Sequence, residues 1–189
     1  ELLAKKFEDL LKCSISPLSD ADKENITTAY NYAFDLHRDE YLPDGSPFIL
    51  HNLNVAITAM KEIGLGPTSA ICALLHGEQT RPQHQVKQIR KIFGDQVAEI
   101  IEGFNKISEL RTDRISFQSE AFRTLFLSMV NDMRVILIKL AHRLNDMRFI
   151  EVRKDKAPMF IDEVKHIYTP IAHRLGLYSV KTELEERVM

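Results

Sequence analysis

Three histidines sit at telling places in apolar helical patterns. His51 stands near the start of one, His76 closes another, and His142 interrupts a third. A glutamate, Glu78, follows the second. If the fold brings the three imidazoles together, they and a water make a competent catalytic zinc set, with Glu78 as candidate base. Each residue also has a plainer reading. His51 could enter its helix with the ring bonded to backbone. An imidazole at His76 favours the carbonyl end of a helix on electrostatic grounds alone. His142 could be a satisfied core histidine, and Glu78 a solvated side chain. His37, His84, His166 and His173 carry no spacing signal.

The elements that would position these residues are helical throughout. Leu2, Leu3, Phe7, Leu10 and Leu11 recur at helical spacing. Ser19 or Asp20 can cap a second helix through Tyr30, Phe34 and His37. Tyr41 to Pro47 is rich in turn residues. A third helix is predicted from Phe48 to Ile63, ended by Gly64-Leu65-Gly66-Pro67. Thr68 then caps an almost wholly apolar helix, Ala70 to His76, whose lack of a polar face implies burial on all sides. Further helices are predicted around Val86–Phe93, Gln96–Leu110, Ser116–Met129, Met133–Phe149, Met159–His173 and from Ser179 onward. No strand alternation or internal repeat competes with this pattern, so the expected fold is all-α. The charged helical pattern at the C-terminus (Glu183, Glu185, Glu186, Arg187) has no terminator, which suggests a longer parent chain.

Composition narrows the function. With 189 residues, 44% hydrophobic and 28% charged, the chain can bury a sizeable core. A net charge of −2 gives no argument for binding nucleic acid or a membrane surface. Cys13 and Cys72 lack metal-type spacing and read as thiols of a reducing compartment. With no membrane-length apolar run and no signal-peptide pattern, a cytoplasmic protein is expected. Lys87, Arg90 and Lys91 read as a solvated helix face, and Arg143 and Arg148 as scaffold partners of carboxylates.

Several runs together carry a resemblance. Ala29-Tyr30 with His37, Gly45-Ser46-Pro47-Phe48-Ile49-Leu50-His51, Leu74-Leu75-His76, the block from Asp132 to Arg148, and Pro170-Ile171-Ala172-His173-Arg174-Leu175-Gly176 keep order and spacing. The chain resembles the hydrolase domain of RelA/SpoT-type alarmone proteins. The resemblance implies an HD-domain helical bundle over residues 1–175 and, at 176–189, the start of a helical linker toward a synthetase domain. In that family the hydrolase removes pyrophosphate from the 3′ position of guanosine tetra- or pentaphosphate with manganese, and the synthetase makes those nucleotides in the stringent response.

The same resemblance marks departures. His51 and His76 match the family's metal-binding histidines. Gly77 stands where the HD motif has aspartate, and His142 where the distant aspartate belongs. Glu78-Gln79 replaces a Glu-Asp pair after a short deletion. The loop arginine that contacts guanine falls near Leu42 or Pro43. Asp146 aligns with an asparagine, and its charge would repel a phosphorylated ligand. These departures imply a catalytically inactive regulatory domain of a RelA-type GTP pyrophosphokinase, acting on a downstream synthetase domain and holding no cofactor. The alternative is a metal-dependent guanosine-3′,5′-bis(diphosphate) 3′-pyrophosphohydrolase with a rewired His-rich site, using zinc if the three rings converge. A third reading is a module that holds guanine nucleotide without hydrolysing it.

Overall fold

A computed structural model describes residues 1–77, 81–112 and 131–189, excepting the side chains of 110–112. Its elements are α1 (Leu2–Lys12), α2 (Asp20–Leu36), α3 (Phe48–Lys61), α4 (Pro67–Leu75), α5 (Gln83–Phe93), α6 (Asp95–Thr112) and α7 (Met133–Arg148). After these come α8 (Ala157–Glu163), a π-helical turn (Val164–Tyr168), α9 (Thr169–Arg174) and α10 (Tyr178–Arg187). The architecture is all-α, as the periodicity predicts. Glu78 and the helix expected over Ser116–Met129 lie outside the described residues. Among the described residues, no helix is long and apolar enough to cross a membrane.

The centre of the bundle is α3, α4 and α7, with α2 and α6 packed around them. Every residue of α4 from Ser69 to Leu75 is buried, as its missing polar face requires. Its start differs from expectation: Gly66 is the N-cap and Pro67 opens the helix, so Thr68 already lies within it. Proline suits that place because its missing N–H would be unsatisfied there anyway. Ser19 caps α2 in a reciprocal box, its hydroxyl accepting from the Asp22 amide at 3.0 Å while Asp22 accepts from the Ser19 amide.

The helix expected from Met159 to His173 is interrupted. Pro170 has no amide to close the ladder and its ring crowds the preceding turn. The chain responds with the π turn, in which the Thr169 amide reaches back to the Val164 carbonyl. Arg148 then ties the C-terminal region to the centre. It forms paired hydrogen bonds to Glu62, the C-cap of α3, at 2.8 and 2.7 Å, and to Glu183 of α10 at 2.8 and 2.7 Å. Val180 and Leu184 bury the inner face of α10 in the common core.

Helix α6 approaches α7 at Gly103, where an added Cβ would lie 2.7 Å from Val135 Cγ2. Val135 is itself buried and has little room to give. Gly103→Ala is therefore expected to destabilise the fold by about 1–3 kcal/mol through overpacking, despite alanine's better helix propensity. Urea unfolding measures this, and the loss should vanish when the same change is made in a Val135→Ala background.

Candidate metal centre

Two short tethers set the frame of the site. The Asn52 amide group donates to the Leu74 and His76 carbonyls, both at 2.9 Å, and so pins the end of α4 to α3. Asn145 donates to Thr58 Oγ1 at 2.9 Å and fixes α7 against the same helix. Beyond Gly77, Arg81 returns to cap α4: its Nε donates to the Leu75 carbonyl at 2.8 Å, and Nη2 reaches the same oxygen. Asn105 locks the Arg81 backbone from α6. Three helices are thus held end to flank around one small volume.

Into that volume point His51 from the first turn of α3, His76 from the C-cap of α4, and His142 from α7. The His51 and His142 ring centres are 4.7 Å apart, and those of His76 and His142 4.5 Å apart. The three imidazoles named from the sequence therefore meet. A fourth group joins them. Asp146 lies one turn beyond His142, with its Oδ1 3.7 Å from His51 Nε2 and its Oδ2 3.2 Å from His142 Nδ1. Donor atoms of His51, His142 and Asp146 all fall within 4.8 Å of one another.

The expectation that Asp146 acts as a repelling anion needs correction. Its carboxylate is wholly buried and bracketed by guanidinium groups, with Arg143 Nη1 at 2.7 Å from Oδ2 and Arg153 Nη1 at 3.6 Å from Oδ1. Sequence reasoning saw the position as a lost asparagine. The signal it passed over is the i, i+4 spacing from His142, which puts both side chains on one helix face.

Burial works against the Asp146 anion, but His142, Arg143 and His51 outweigh that cost and hold its carboxyl well below the usual carboxylate range. An ionised carboxylate only accepts hydrogen bonds, so His142 Nδ1 carries the ring proton and Nε2 keeps a lone pair. Among the described residues Nε2 has no hydrogen-bond partner. Burial also pushes His142 below the ordinary histidine value. His76 is shifted furthest, first by burial and then by Lys139 and His142 nearby. Neither of its ring nitrogens has a hydrogen-bond partner among the described residues. His76 is the C-cap of α4, at the carbonyl end of the helix.

This donor set fits a divalent ion. Imidazole nitrogens and an ionised carboxylate suit zinc or manganese, and the ring nitrogens of His76 and His142 that lack hydrogen-bond partners among the described residues are what a ligand would satisfy. His51, His142 and Asp146 would hold the ion, with His76 beside them. Gly77 brings no donor. A cavity of about 280 Å³ opens beside the cluster. Leu42, Leu50, Phe149 and Val152 give it apolar walls, and His51, Asp146 and Arg153 line it as well. The loop wall at Leu42 has no cation, but Arg153 supplies one from the segment after α7.

His76, His142 and His37 are all lowered by burial, so the folded protein holds them neutral while the unfolded chain takes up protons near the ordinary histidine value of 6.5. Their contribution to stability is complete above that value and is lost as pH falls below it. Asp146 stays ionised through this window. Urea unfolding of metal-free protein from about pH 7.5 down to about 5.5 should show stability declining, less steeply in His76→Gln. A flat profile in the parent would contradict the assignment.

Residues 29–178 match the family model described as HD domain. The chain is 38% identical over 164 residues to the guanosine-3′,5′-bis(diphosphate) 3′-pyrophosphohydrolase of Aquifex aeolicus, covering 86% of this chain and 23% of that protein. It is 38% identical over 184 residues to the bifunctional (p)ppGpp synthase/hydrolase SpoT of Escherichia coli K12, covering 95% and 26%. A GTP pyrophosphokinase of Streptomyces antibioticus is 34% identical over 162 residues, covering 85% and 19%. The chain thus spans about a quarter or less of the relatives it matches. It belongs to the HD-domain family, with homology to the RelA/SpoT-type 3′-pyrophosphohydrolases.

Proposed function

We propose that this domain is a divalent-metal phosphohydrolase module that releases pyrophosphate from the 3′ position of guanosine tetra- or pentaphosphate through a rewired His-rich centre. The observation that carries this reading is the clustering of His51, His142 and Asp146 donor atoms within 4.8 Å beside the 280 Å³ cavity. The names of the relatives support it. The carboxylate absent at position 142 is supplied one helical turn later, at 146, so exchanging aspartate for histidine relocates the negative charge.

A bound dication would polarise a phosphoryl oxygen and make a coordinated water more acidic. The protein's own groups do the rest. The apolar walls of the cavity suit the faces of a purine and exclude water from them. Arg153 offers a fixed charge to the nucleotide's anionic or carbonyl oxygens, taking the part of the arginine missing from the Leu42 loop. His51 and Asp146 sit where the cavity meets the metal donors, so a nucleotide in the cavity places its phosphates at the centre.

A second reading, a non-catalytic regulatory domain of a GTP pyrophosphokinase in the stringent response, is favoured by two observations. Gly77 brings no carboxylate, and Arg143 and Arg153 already engage Asp146. Under that reading the partner is a downstream synthetase domain.

Pyrophosphate release from guanosine tetraphosphate, assayed with manganese and then zinc, separates the two. We expect metal-dependent release that falls below detection in His142→Ala and Asp146→Asn. No release with either metal from folded protein would leave the regulatory reading.

A further inference from the structure

The Asp146 carboxylate is held by a relay of ions that touches neither the cavity nor the histidines at its far end. Arg143 Nη1 donates to Asp146 Oδ2 at 2.7 Å, and Nη2 of the same guanidinium donates to Glu163. The guanidinium lies over the Phe160 ring at 4.1 Å from its centre, with the Tyr168 ring at 5.6 Å. Arg143 and Glu163 are 3% and 1% exposed. Glu163 is the last residue of α8, and the buried Val164, Ile167 and Tyr168 of the π turn anchor it from behind.

A guanidinium is a planar fork that takes both oxygens of one carboxylate when nothing else competes. Here the fork is split. Glu163 occupies one arm, so Arg143 holds only Oδ2 of Asp146. Oδ1 accepts no hydrogen bond among the described residues and lies on the His51 side. Glu163 also balances charge: Arg143 faces both Asp146 and Glu163 and Arg153 faces Asp146, two cations against two anions. Without Glu163 a net positive cluster would stand beside a site for a dication.

We infer that Glu163 is a positioning residue for the metal centre: by dividing the Arg143 fork it keeps Oδ1 of Asp146 turned toward His51, while Oδ2 stays between Arg143 and His142. This rests on the metal reading above, and the test separates the two. Manganese and zinc binding to the whole chain is measured by calorimetry, and the ring ¹⁵N shifts of His142 are recorded in metal-free protein. In Glu163→Gln, metal affinity should fall roughly 10- to 100-fold, the scale for groups that orient metal ligands, and the His142 Nδ1 signal should move. The double variant Arg143→Met with Glu163→Met removes the relay as a charge-neutral pair and leaves Asp146 to His142 and Arg153. It should fold and lose metal affinity similarly, and it carries the test if Glu163→Gln does not fold. Folded variants that bind metal within about twofold of the parent would overturn the inference and leave the metal reading intact. If the parent takes up neither metal but Glu163→Gln still moves the His142 signal, the relay stands and the metal reading falls.

Discussion

Asp146 is a fully buried carboxylate, and much of the surrounding structure answers to that fact. An isolated anion inside a protein is too costly to keep, so it must be paired and hydrogen-bonded or lose its charge. Here the compensation comes from three elements. His142 and Arg143 lie on the same helix, Arg153 on the turn that follows it, and His51 on α3. Glu163 then returns from α8 to balance the second arm of Arg143. An apolar helix would have packed more simply. The buried polar face of α7 makes sense as the wall of a site.

The site depends on how α3, α4 and α7 are cross-braced. Asn52 holds the end of α4, Asn145 holds α7 through Thr58, and Arg81 caps α4 from beyond Gly77. Each brace uses a buried polar side chain to satisfy helix-end or hydroxyl groups that would otherwise go unpaired. Together they place imidazoles from three separate parts of the chain within contact distance. Arg148 extends the bracing outward to α10, so the C-terminal helix is joined to the helix that carries the site.

Most of the fold was legible in the sequence because apolar spacing dictates helices where burial is strong. The central helices α3, α4 and α7 fall within a residue or a few of expectation. The failures have local causes. Thr68 looked like a cap, but Gly66 with Pro67 makes a better entry. Pro170 hid a π turn inside what reads as one continuous helix. Of the site, His51, His76 and His142 are legible through the resemblance, which places them at the family's metal-binding positions. Asp146 was misjudged because comparison by position treats it as a lost asparagine, whereas its spacing from His142 puts it on the same face. Arg153 gave no signal at all: it sits in an irregular turn, and only the fold brings it to the cavity.

The proposed metal centre requires that the missing carboxylate has moved one turn along α7. A crystal structure grown with manganese, with anomalous data collected at the metal edge, tests it most directly. A single peak bound by His51, His142 and Asp146 is expected, with Arg143 still on the other oxygen of that carboxylate. Crystals with no peak at this cluster, and with Asp146 engaged only by its arginines, would contradict it.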